Sequence, residues 1–229
     1  MLKYFSENTK LAEAITVHPA LIQLLPRFNI SLGFGDKTIG GVCKEFAVPV
    51  NLFLVVCNIY AFESYRPTLS DISGTDTDGL IAYLKKSHAY YFDKRIPHIE
   101  KHLKIITEQI DRKQGAILMS FFLQYKKEVK EHFDYEEDTV FPMLKSLQEN
   151  KYHDVGFSGY EEAHTNIEDT LDDLIQIVFK YLPGSVEYEN SIGMAFDILQ
   201  LAEELKKHAL IEERILIPFI EYMERRNEI

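Results

Sequence analysis

Tryptophan is absent from this 229-residue chain, and cysteine occurs only twice, at Cys43 and Cys57. Two cysteines do not make a disulfide framework, so a buried apolar core has to hold the fold. Glycine is scarce at 11 residues, too few for a β-rich fold with many tight turns. Positive charge is in deficit: 25 lysines and arginines face 36 acids, a formal net charge of −11. A surface this acidic repels a phosphate backbone, which argues against general nucleic-acid binding, and it disfavours anionic membrane surfaces for the same reason. No long apolar run is present. The strongest, Leu52 to Cys57, falls far short of the roughly 20 residues that span a bilayer. The opening MLKYFSENTKLAEA carries no apolar signal core, the pattern expected of a cytoplasmic protein. What remains is a globular composition, 46% apolar and 27% charged, which rules out wholesale disorder.

One break in composition divides the chain. The stretch ESYRPTLSDISGTDTDG, from Glu63 to Gly79, gathers the residues of a connector. A small helical N-terminal domain is expected over 1–62, a linker over 63–79 and a larger domain over 80–229. In the larger domain apolar residues recur at three- and four-residue spacing, which predicts four long helices, about Asp78–Arg112, Gly115–Glu149, Gly159–Leu182 and Tyr188–Arg225. Their breaks, DRKQG, NKYHDVGFSG and PGS, are short, so neighbours run antiparallel. The expected fold is all-α, an up-down-up-down four-helix bundle. In the small domain the pattern predicts helices over Leu11–Val17, from Pro19 to Phe28, over Thr38–Ala47 and over Pro49–Ala61, with a glycine-containing turn at SLGFGDKT. No alternating strand pattern occurs.

An internal repeat carries the chemistry. HFDYEEDTVFP, from His132 to Pro142, and HALIEERILIP, from His208 to Pro218, both read H-x-x-x-E-E-x-x-x-apolar-P. Four residues of α-helix advance about 400° and rise about 6 Å. His132 and Glu136 therefore share a face, as do His208 and Glu212. Upstream, His88 precedes His132 by 44 residues and His164 precedes His208 by the same 44. Each half thus supplies one histidine on one helix and a His-x-x-x-Glu pair on the next. One such pair alone is commonly a surface contact worth about 0.2–0.5 kcal/mol. Two copies with matched upstream histidines and apolar flanks point to buried ligands instead. A buried carboxylate needs a counter-charge, and a pair of divalent cations would satisfy His88, His132, Glu136, His164, His208 and Glu212 together. Imidazole with carboxylate suits iron, manganese or zinc. Two histidines per metal, two bridging carboxylates and an oxo or hydroxo bridge would leave one position open on each ion for a small molecule.

The H-x-x-x-E repeat in four long helices resembles the hemerythrin-like (HHE) cation-binding domain, over roughly His88 to Ile220. The segment Val17-His18-Pro19-Ala20-Leu21, then Arg27-Phe28-Asn29-Ile30 and the turn from Gly33 to Lys37, is similar to the short domain that precedes it in the iron-sulfur cluster repair di-iron proteins. The resemblance implies a non-haem di-iron centre with the six residues above as ligands. It further implies a part in repairing iron–sulfur clusters damaged by nitric oxide or oxidative stress, with O2 or NO as the small ligand and iron–sulfur proteins as partners. The alternative is a sensor or carrier that binds O2 or NO reversibly without turnover. The chain departs from the repair pattern where adjacent cysteines are usual: it reads Leu32-Gly33-Phe34-Gly35-Asp36. It departs from oxygen-carrying hemerythrins too, because Glu168 rather than histidine lies four residues after His164. Ferritin-type oxidases use more carboxylate than histidine, so the histidine-rich set disfavours them.

Other polar residues receive plainer readings. Glu137 and Glu213 sit about 100° round the helix from the ligands and are expected to face solvent. Pro97, Pro142 and Pro218 are expected to kink or end their helices. His102 shares a face with His88 but lies about 20 Å along the axis, outside a common site, and His98 faces elsewhere. Glu168 is a minor candidate for an outer carboxylate.

Overall fold

A computed structural model describes residues 4–149 and 160–227, the side chains of 160–166 and 227 excepted. The described residues are all-α, and the only β-type pairing among them is an isolated bridge between Lys10 and Thr38. They fall into two compact units. One comprises Met1–Ser87, Met143–His153 and Lys207–Ile229, and the other His88–Pro142 and Asp154–Lys206.

The first unit, here the N-terminal unit, begins with α1 (Leu11–Val17), a 3-10 turn at Pro19–Gln23, α2 (Leu24–Arg27), α3 (Ile39–Glu45) and α4 (Val50–Ala61). The expected helix from Pro19 to Phe28 is therefore broken in two, with Pro26 inside its second piece. Gly33 and Gly35 turn the chain at φ 95° and 62°, a region closed to most side chains. Thr38 caps α3 by accepting from the Gly41 amide. The apolar run noted in the sequence is α4. It is buried on nearly every side, from Leu52 and Phe53 through Val55 to Tyr60, as the central helix of a small core must be. Polar atoms there are paired: Arg27 donates to the Tyr60 hydroxyl at 2.6 Å, which meets the Tyr83 hydroxyl at 3.0 Å. The expected connector contains α5 (Leu69–Ser73), opened by a capping box between Thr68 and Asp71.

The remaining helices are long. α6 (Thr77–Tyr90) passes through a π turn at Tyr91–Arg95 into α7 (Ile96–Glu108). α8 (Arg112–Tyr135) passes through a π turn at Glu136–Val140 into α9 (Phe141–Gln148). α10 (Tyr160–Tyr181) follows, and α11 (Tyr188–Ile211) passes through a π turn at Glu212–Leu216 into α12 (Ile217–Asn227). These bounds match the four expected helices to within a few residues. The expected connector 150–159 lies outside the described residues. Asp111 starts α8 by accepting from the Lys113 and Gln114 amides, the cap that the DRKQG turn supplies.

In the second unit, the bundle unit, α7 packs on α8 and α8 on α10. Its core is drawn from one stripe of each helix: Leu103 and Ile106, Leu118, Phe122, Tyr125 and Val129, Leu171 and Leu174, Ile198 and Leu201. Removing each such side chain from water contributes about 1.5–3 kcal/mol. That packing, rather than intrinsic propensity, fixes the register of the helices that carry the polar donors.

The three prolines neither end nor sharply interrupt these helices. Each is the second residue after a π turn: Pro97, Pro142 and Pro218 follow turns ending at Arg95, Val140 and Leu216. Proline has no amide proton, and its ring clashes with the carbonyl four residues back. In every case the residue before the proline donates instead to the carbonyl five back: Ile96 to Tyr91, Phe141 to Glu136 and Ile217 to Glu212. One widened turn absorbs the defect, and such turns recur at functional sites.

Candidate metal centre

In the bundle unit, His88 projects from the end of α6, and His132 from the last turn of α8. Glu136 opens the π turn that follows. All three are buried, Glu136 completely. Glu136 divides its two oxygens between two imidazoles: Oε2 lies 3.1 Å from His88 Nε2 and Oε1 lies 3.3 Å from His132 Nε2. Ligands bound to one ion at about 2.0–2.1 Å stand roughly 3 Å from one another, so the spacing suits donors around a cation.

Two neighbours orient His88. Its ring stacks on Phe133, with centroids 3.9 Å apart and planes 10° apart. Its Nδ1 lies 2.9 Å from Glu137 Oε1. With that nitrogen protonated and donating to Glu137, Nε2 is left bare for a metal, the usual carboxylate–histidine support of a metal ligand. Glu137 is therefore not the solvent-facing residue expected: its side chain is 35% exposed and engages the site histidine. The sequence signal was present in the doubled glutamate. The widened turn hid its meaning, because a π turn rotates less per residue than the 100° of an α-helix.

In the N-terminal unit the second copy repeats the local geometry. His208 lies in the last turn of α11 and Glu212 opens its π turn, with His208 Nε2 2.8 Å from Glu212 Oε1. Both are buried, Glu212 completely. Glu213 is exposed, as expected. His88, Glu136, His208 and Glu212 are thus buried donors of the types that hold a metal ion. The donor chemistry fits a borderline divalent metal: neutral imidazole plus carboxylate, out of water, where an ionised acid requires a positive partner. His164 lies on α10, but its side chain is outside the described residues.

The other candidates separate. Glu168 is exposed, which removes it as a buried ligand. Of the tyrosines that lie near ligand positions along their helices, Tyr135 is 40% exposed, whereas Tyr91 is wholly buried and donates from its hydroxyl to the Glu204 carbonyl at 3.0 Å. Glu204 itself is a completely buried acid that the sequence pattern did not single out. It receives Gln200 Nε2 at 3.1 Å and lies 3.8 Å from Arg95 Nε. Its i+4 relation to His208 was legible, but within AEELKKH it is indistinguishable from exposed Glu203. The cysteines are poor nucleophiles. Burial, with Glu7 adding to it, pushes the Cys43 thiol up to about 12, and burial also raises Cys57 well above its usual range.

No helix among the described residues is long and apolar enough to cross a membrane. No curated protein matches the chain. The hemerythrin HHE cation binding domain matches residues 81–220, a span that begins before His88 and ends after Glu212. On the strength of that match, which covers more than half of the sequence, together with its all-α bundle and buried histidine–glutamate donors, the chain belongs to the hemerythrin HHE cation-binding family.

Proposed function

We propose that this chain is a non-haem di-iron protein that restores iron–sulfur clusters damaged by nitric oxide or oxidation. The observation that carries the metal centre is the paired local geometry. Each H-x-x-x-E copy buries its histidine and glutamate and places the glutamate at the first residue of a π turn. In this reading His88, His132 and Glu136 from one repeat and His164, His208 and Glu212 from the other would hold two irons. Zinc or manganese suits the same donors, so metal analysis is the first test. Iron held there would supply one-electron chemistry and bind O2 or NO. The chain's own residues would hold the ions and exclude water, with Glu137 and Phe133 orienting the His88 imidazole.

The repair role rests on the resemblance of the N-terminal segment from Val17 to Lys37 to repair proteins. We expect about two irons per chain from iron-replete expression, falling below half of that in Glu136→Gln/Glu212→Gln. Incubating the iron-loaded chain with a nitrosylated iron–sulfur dehydratase should restore its activity. Loaded protein that restores none would overturn the repair role while leaving the metal centre standing.

One observation favours a second reading, reversible binding of O2 or NO without turnover. The chain lacks the adjacent cysteines, and both of its thiols are buried and held protonated, so thiol chemistry has no accessible agent. Spectral change on gas exchange, reversed on removal with no product formed, would decide for this reading.

A further inference from the structure

The bundle unit carries a second group of metal-type donors outside the repeat. We propose that His98, His102 and Asp197 form a separate, exchangeable site for one borderline divalent cation of the zinc, copper or nickel type. His98 and His102 stand four apart on α7, so both imidazoles leave the same face, and their ring centroids are 4.8 Å apart. The expectation that His98 points away from His102 is thereby corrected. Asp197, on α11, brings Oδ2 to 3.1 Å from His98 Nε2 and 3.7 Å from His102 Nε2. The three donor atoms all lie within 4.8 Å of one another, close to the roughly 3 Å between ligands of one ion bound at about 2.0–2.1 Å.

The surroundings organise the carboxylate. Arg95 reaches Asp197 twice, from Nη2 to the backbone carbonyl at 3.2 Å and from Nη1 to Oδ1 at 3.6 Å. The guanidinium thus holds the oxygen that faces away and leaves Oδ2 to the histidines, the role of an outer partner at a metal site. It is also a positive charge beside the ion, which weakens binding. Gly193, one turn before Asp197, has only hydrogen where a Cβ would stand 3.7 Å from His102 Cε1. A Cβ at that distance would make an ordinary van der Waals contact with the imidazole, so this position leaves the ring room without being required by it.

Several features set the character of the site. His98 is 53% exposed, so an ion can enter from solvent and keep water on its remaining positions. His102 Nδ1 is buried without a hydrogen-bond partner among the described residues, so this imidazole lacks the outer acceptor that His88 has in Glu137. Three donors, a nearby cation and one unsupported imidazole make a labile site rather than a permanent one. It is also not part of the HHE donor set. His98 is ten residues from His88, about 15 Å at 1.5 Å per residue, too far to share an ion.

The test compares the full chain with its His98→Gln/His102→Gln variant, iron content being measured in both. Under equilibrium dialysis against Zn2+, the parent should hold one more zinc than the variant at unchanged iron. Cu2+ added to the parent should give an electron paramagnetic resonance spectrum with coupling to two imidazole nitrogens, absent from the variant. His98→Gln alone, at an exposed position, should weaken that zinc by more than the roughly 10–100-fold that loss of an outer partner costs. It keeps the test open should the double variant misfold. Equal zinc stoichiometry in parent and variant, or zinc affinity unchanged in His98→Gln, overturns the site.

Discussion

Glu137 shows how much a single residue contributes beyond the donors themselves. A metal ligand is only as well placed as the group that fixes its free nitrogen, and Glu137 Oε1 at 2.9 Å from His88 Nδ1 does that here. Glu137→Gln retains the shape but presents a neutral amide that can donate as well as accept. We expect about 10–100-fold weaker metal binding, measured by competition with a chromophoric chelator, with little change in thermal stability of the metal-free chain. Retained affinity would assign His88 orientation to Phe133 stacking alone. The cysteines give a second residue-scale expectation. Cys57 stays protonated in the fold well above its ordinary range, so above about pH 9 the unfolded chain binds fewer protons than the folded one. The stabilising effect is complete below the unfolded pKa and is lost as pH rises toward the folded one, at about 1.4 kcal/mol per pH unit for such a thiol. Denaturant titrations between about pH 8 and pH 11 should show this decline, and Cys57→Ala should lessen it by about 1.4 kcal/mol per pH unit, the remainder coming from the raised Cys43 thiol. An unchanged pH slope in that variant would mean that the thiol contributes nothing.

Helices were the most legible elements, and their interruptions the least. Apolar recurrence located all four long segments, because burial of one face is written in residue order. The Asp111 cap that starts α8 at Arg112 was not singled out, and that helix was expected to begin at about Gly115, because a lone acid can equally end one helix or cap the next. The π turns were not legible. Proline signals only that a normal α-helical bond is missing, and a kink, a stop and a widened turn satisfy that equally. Packing selects among them. The consequence concerns the ligands, because Glu136 and Glu212 are each the first residue of a widened turn. Pro142→Ala restores the amide and permits the turn to tighten. If proline maintains the π turn, the metal-free variant gains stability, up to about 3 kcal/mol, while Glu136 shifts relative to His132 and metal binding weakens. Calorimetry of the metal-free chain together with metal titration separates the outcomes. Unaltered binding would show that the surrounding packing, not Pro142, sets the turn.

At the scale of the whole molecule, the internal repeat was the most informative pattern, because duplication exposes ligand spacing that one copy leaves ambiguous. Its limit is equally physical. Sequence spacing places His132 with Glu136 and His208 with Glu212, since a helix fixes those relations, but joining the two halves requires tertiary packing, and the His164 side chain lies outside the described residues. The two-half centre proposed above has a thermodynamic consequence that local geometry lacks. Ions held by both halves of the repeat would bind only where both halves are folded, so removing the metal should lower the melting temperature. At free metal a thousandfold above its dissociation constant, linkage gives about 4 kcal/mol, which for a chain of this size is roughly 10 °C. Glu136→Gln and Glu212→Gln should each lessen that shift, and the double substitution should lessen it by less than the sum of the two, because either change alone already loosens the shared ions. Losses that simply add would mean that each half holds its metal alone.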